Sequence, residues 1–177
     1  MRKGVATTAI LIALAVAIGI LLAAVPNVEG ISVVSFFSGY LTGWRSGGVI
    51  GGTAMLLLSV LNPLGPAPPP VLAAQVLGMA LVGAAGRLLG GPGGRVRLEL
   101  RAMALGAILT LVYDGLTNFG VAVSIGKARD PLVVMLAGAP FAAIHVVSNT
   151  MIFGATAAVV GRRRRFRRED EGRPASR

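Results

Sequence analysis

The sequence predicts an all-α integral membrane protein with six transmembrane helices and both termini in the cytoplasm. Three observations predict it. The first is composition: 54% of the 177 residues are hydrophobic and only 14% are charged, against about 25% charged in a soluble domain, and mean hydropathy is +0.76. The second is that the apolar residues fall into six runs separated by proline, glycine or charge. The third is the distribution of basic residues. With six alternating spans, fifteen of the seventeen Lys and Arg residues fall on the cytoplasmic side: Arg2, Lys3, Arg45, Arg87, Arg95, Arg97, Arg101 and eight in the tail. Only Lys127 and Arg129 fall outside, the asymmetry that the positive-inside rule expects. The chain divides into one membrane domain, residues 1–161, and a basic tail, 162–177, expected to be disordered and cytoplasmic.

The first span covers residues 5–25. At 21 residues it exceeds the roughly 7–15 apolar residues of a signal peptide and fits the about 17–25 of a spanning helix. "PNVEG" breaks it. A short second span, 31–44, ends at "WRSGG", and a third, 49–61, ends at "NPLGPAPPP". These two also read as a pair of half-helices that enter and leave on one side. Five prolines within residues 63–70 disfavour helix and favour a stiff, extended connection. The fourth span, 71–89, gives way to "GGPGGRVRLELR", read as a loop. The fifth covers 102–125 and the sixth 132–160, with Pro140 in its first half.

Polar residues are rare enough in these spans to be informative. On the fifth, Thr110, Asp114, Thr117 and Asn118 share one helical face; on the sixth, Phe141, His145, Ser148 and Asn149 do the same. A carboxylate at bilayer depth costs about 2.5–3.5 kcal/mol on insertion scales, so such residues turn toward protein or a wet cavity. The two stripes are expected to line one interior space that opens outward, flanked by Tyr113. Asn27, Glu29 and Gln75 lie near the same end, and Tyr40 follows the Ser32, Ser35, Ser38 stripe of the second span. Two readings of Asp114 are open: it bonds His145 to hold helices together, or it receives a donor on a ligand.

Several chemistries are excluded. There is no cysteine and only one histidine, which rules out disulfides, thiolate sites and an HExxH zinc motif. Neither a GxSxG elbow nor a phosphate-binding loop is present. The only carboxylate pair available to the stripes is Glu29 with Asp114, which no spacing supports. The net charge of +10 does not imply nucleic acid, since eight basic residues lie at or beyond Arg162; the implied partner is the bilayer. On the first span, Ala9, Ala13 and Ala17 recur every four residues, as do Ala15, Gly19 and Ala23, a spacing that lets helix backbones approach closely.

Taken together, "VPNVEGISVVSFFSGYLTGW", "NPLGPAPPPVLAAQVLGMALVGAAG", "LTLVYDGLTNFG" and "PFAAIHVVSNTMIFG" resemble the substrate-binding S components of energy-coupling factor (ECF) vitamin transporters, over residues 5–160. The resemblance implies a non-enzymatic importer subunit without a cofactor of its own. It would bind a small organic micronutrient near the outer surface and dock on a transmembrane T component through Ala9, Ala13 and Ala17. Two cytoplasmic ATPases would use ATP to drive delivery. The first gating loop would carry Asn27 and Glu29, and the proline loop would be the second. Asp114, Asn118, His145 and Asn149 fall where ligand contacts occur, with Tyr40, Gln75 and Tyr113 as further candidates. An aromatic sandwich would draw on Phe36, Phe37, Tyr40, Tyr113 or Phe141. The Met-His start of the metal-transporting members is absent, so no metal is expected. The rival functions are a membrane scaffold of similar fold, of cell-shape type, and a membrane enzyme acting on lipid or isoprenoid substrates.

Overall fold

A computed structural model describes residues 2–25, 28–62, 65–92, 94–127 and 130–171. Helix makes up 87% of the described residues, and no strand occurs among them, so the all-α prediction holds. Six helices follow one another: α1 (Arg2–Leu22), α2 (Gly30–Thr42), α3 (Trp44–Val60), α4 (Pro69–Ala85), α5 (Arg95–Ser124) and α6 (Pro131–Glu171). A single 3-10 turn, Gly86–Leu89, extends α4.

Helices α3, α4, α5 and α6 pack successively, each on the next, and α2 lies across α3, α4 and α6 with α1 against α2 and α3. Helix α2 is the most enclosed element, buried at every position from Gly30 to Tyr40 except Val34. Its side chains supply the aromatic core: Phe36 and Phe37 meet Phe153 of α6 at 4.9 and 6.3 Å between ring centroids, and Tyr40 stands edge-on to Phe37. Small residues let the backbones touch elsewhere. A Cβ on Gly39 would fall on the carbonyl of Gly83, and Gly47 meets the same carbonyl from α3.

Three stretches, Gly4–Leu22, Pro69–Leu89 and Pro131–Arg162, are long and apolar enough to cross a membrane. The surface agrees with that. Leu111, Phe119, Leu136 and Val147 are exposed while His145, Asn149, Thr110 and Ser35 are buried, the reverse of a water-soluble distribution. Helix α2 is different. Its 13 residues rise roughly 20 Å, short of the ~30 Å hydrocarbon core.

The boundaries depart from prediction in four places, each for a local reason. The break between the second and third helices is not "WRSGG" but Gly43 alone, at φ 99°, a left-handed conformation that glycine adopts without steric cost; Trp44 and Arg45 then open α3. The proline run stops short of its predicted end, because α4 begins at Pro69, and proline is tolerated in a first turn whose N–H groups lack intrahelical partners anyway. "RVRLELR" is not loop but the start of α5, set off by the extended Gly94 and made of good helix formers. Helix α6 runs on to Glu171, so it takes in 162–171 of the predicted disordered tail; arginine favours helix. Residues 172–177 of that tail lie outside the described residues.

Candidate functional site

The site grows from one residue. His145 lies on the face of α6 that packs against α5, and it is 4% exposed. Asp114 faces it from α5. His145 Nδ1 donates to Asp114 Oδ1 at 2.8 Å, since an ionised carboxylate can only accept. The other ring nitrogen, Nε2, then accepts from Asn149 Nδ2 at 3.1 Å, one turn further along α6. That tautomer is assigned from the network. Asn149 Nδ2 also donates to Thr110 Oγ1 at 2.9 Å, and Thr110 passes its own proton to the Gly106 carbonyl at 2.7 Å.

A third element completes the cluster. Glu29, the residue just before α2, places Oε2 3.5 Å from His145 Nε2 and accepts from Ser32 Oγ at 3.0 Å. The single histidine therefore lies between two carboxylates that are 85 positions apart in sequence. Tyr113 stands edge-on to the imidazole at 6.1 Å and points its hydroxyl at Met55 Sδ of α3, 4.0 Å away. Two atoms of this cluster are buried without a partner: Asp114 Oδ2 and Asn149 Oδ1. The cluster is deep. Ten residues separate Asp114 from the end of α5 at Ser124, a rise of roughly 15 Å.

Of the predicted site residues, the fold brings together Glu29, Tyr113, Asp114, His145 and Asn149. Asn118 lies one turn along α5, against Gly138 of α6. Gln75 is half-buried on α4 and makes no contact with the cluster that the structure records. Tyr40 is elsewhere: it lies eleven residues from Glu29 along α2, roughly 16 Å, inside the aromatic core. Phe36 and Phe37 share that core, so they are packing residues and not a ligand sandwich. Phe141 is on the His145 stripe yet 60% exposed. Asn27 lies outside the described residues.

The two stripes bond to each other, Asp114 to His145 and Thr110 to Asn149. A groove of about 510 Å³ is lined by residues of α5 and α6. Asp114 and Asn118 lie on its wall, and Leu111, Gly115, Ala139 and Ala143 are among the residues that complete it. Gly115 and the small α6 residues were not singled out from sequence. Their signal was present as the spacing of Ala139, Ala142 and Ala143, which share one helical face.

Helix α1 shows two small-residue stripes in different states. Ala15 is buried, and Gly19 packs against Leu58 of α3. Ala9, Ala13 and Ala17 are all exposed, so that stripe is uncovered within the chain. No group of three or more His, Cys, Asp or Glu capable of holding a metal occurs among the described residues. Compared with protein-family models, curated proteins and solved structures, the chain matches none.

Proposed function

We propose that the chain is the substrate-binding S component of an ECF-type importer for a small organic micronutrient. In this reading six spans place both termini in the cytoplasm, and the cluster around His145 belongs to the substrate site. The exposed alanine stripe of α1 docks a T component, and two ATPases on the cytoplasmic side use ATP to drive release. One observation carries the reading. Asp114 is half-buried in the middle of α5, lies on the wall of a groove, and keeps one enclosed carboxylate oxygen without a partner. A group that served packing alone would be expected to satisfy both oxygens, because an unpaired buried acceptor costs about 1–3 kcal/mol.

Binding is favoured over catalysis by the state of the histidine. Both ring nitrogens of His145 are engaged, so neither is free to act as a general base. The scaffold reading has one observation in its favour: Asp114, His145, Asn149 and Thr110 bond one another in a continuous chain, as interhelical glue would.

Two measurements decide between them. Mass spectrometry of the protein purified in detergent should find a bound small organic molecule. Asp114→Asn should then weaken that molecule's affinity by about ten- to more than a hundredfold, the loss of a charged hydrogen bond worth about 1.5–3 kcal/mol. If Asp114→Asn lowers the melting temperature and leaves affinity unchanged, or if nothing co-purifies, the scaffold reading replaces this one.

A further inference from the structure

We infer that the ligand taken at Asp114 is an amphipathic organic ammonium, and that it lies in the α5/α6 groove with its apolar body toward lipid. This rests on the binding reading above and adds to it the ligand's charge and position.

The charge follows from the cluster. Both Glu29 and Asp114 lie within ion-pair distance of His145, and neither is paired with Lys or Arg among the described residues. Two carboxyl groups thus share one imidazole. A cationic donor is the complement such a set lacks, while an anion would meet two carboxyl groups. Within the cluster, Asp114 is the group that also lies on the groove, and its Oδ2, enclosed just behind that wall, makes no hydrogen bond. Asn118, one turn away on the same wall, offers an amide oxygen as a second acceptor. The polar part of the groove thus offers N–H donors a carboxyl group and an amide oxygen.

The apolar body follows from the remaining wall. Leu111, Ala139 and Ala143 carry no polar side-chain atom, and Leu111 is 57% exposed, so in a membrane the groove opens sideways into lipid. Space exists beside the carboxylate. A Cβ on Gly115 would meet nothing within 4 Å. A volume of about 510 Å³ is in the range of small-molecule sites.

The test uses the full chain in nanodiscs of zwitterionic lipid. Three probes share an indole ring and a two-carbon arm: tryptamine (ammonium), tryptophol (uncharged) and indole-3-propionate (carboxylate). Tryptamine is expected to bind at least about tenfold more tightly than tryptophol, as a charge-assisted hydrogen bond requires, and the carboxylate most weakly. Asp114→Asn should erase the advantage of tryptamine over tryptophol. Gly115→Leu should weaken both by filling the groove. Gly115→Ala, which adds one methyl group to open space, gives a smaller effect of the same sign in a variant with little reason to misfold. Equal binding of the three probes, preference for the carboxylate, a tryptamine advantage that survives Asp114→Asn, or no binding of any probe overturns the inference. The two levels fail separately. A co-purified anionic molecule whose affinity depends on Asp114 keeps the importer reading and overturns the ammonium; no co-purified molecule together with no probe binding overturns both.

Discussion

His145 is the residue on which the interior polar chemistry turns. It separates two carboxylates that would otherwise face each other inside the bundle, and it orients Asn149, which in turn holds Thr110. Removing the imidazole leaves Glu29 and Asp114, both half-buried, without their shared partner. The loss is destabilising, though by less than the about 3–5 kcal/mol of breaking a fully buried pair. His145→Leu is therefore expected to lower the thermal midpoint sharply in detergent, read by a melting curve. Adding Asp114→Asn and Glu29→Gln to the same chain should recover a large part of the loss, since no unpaired charge is then buried. A triple variant as unstable as the single one would show that His145 matters through its packing and not its charge. Much of this residue-scale pattern was legible beforehand. Spacing alone put Thr110 and Asp114 on one face and His145 and Asn149 on another. The pairing of Glu29 with them was not legible, because it depends on a helix start meeting the middle of a distant helix.

At the scale of elements, the two small-residue stripes of α1 make opposite predictions. The stripe at Gly19 is already spent against Leu58 of α3, so Gly19→Leu should destabilise the isolated protein. The stripe at Ala13 is exposed. Ala13→Trp should leave the melting curve and ligand binding of the isolated chain unchanged, yet prevent assembly with a T component, scored by co-purification. Unchanged assembly would remove α1 as the docking face. The α2/α3 break gives a third test. Gly43→Val forces a β-branched residue to φ 99°, a strained backbone that costs of order 1–3 kcal/mol, detectable as a lowered melting temperature. Helix ends were the least legible feature of the sequence. Apolar runs locate where a helix is buried, not where it stops, so α5 begins seven residues before its apolar stretch at Ala102. Gly43, by contrast, breaks a helix within a run of apolar and small residues through its backbone angles alone.

For the whole molecule, the class was legible and the number of crossings was not. Composition alone identifies a helical membrane protein, and three long apolar stretches agree. The crossing count rests on α2 and α3, with 13 and 17 residues, and on α5, whose apolar run carries Asp114. Six spans and a cytoplasmic C-terminus make a direct prediction. Protease added outside right-side-out vesicles should leave the segment "RRRRFRR", residues 162–168, uncut, with the basic residues held at anionic headgroups by about 1 kcal/mol each. Cleavage there from outside would put the C-terminus on the outer side and overturn the topology of six spans with both termini in the cytoplasm.

The length of α6 has a mechanical consequence. It is one helix of 41 residues, and it packs on the core as far as Val160. The 11 residues from 161 to 171 continue that helix by roughly 16 Å. The arginine-rich end is thus carried on the same continuous rod that holds His145, so a rigid-body shift of α6 against α5 at the Asp114–His145 contact would be passed to it directly.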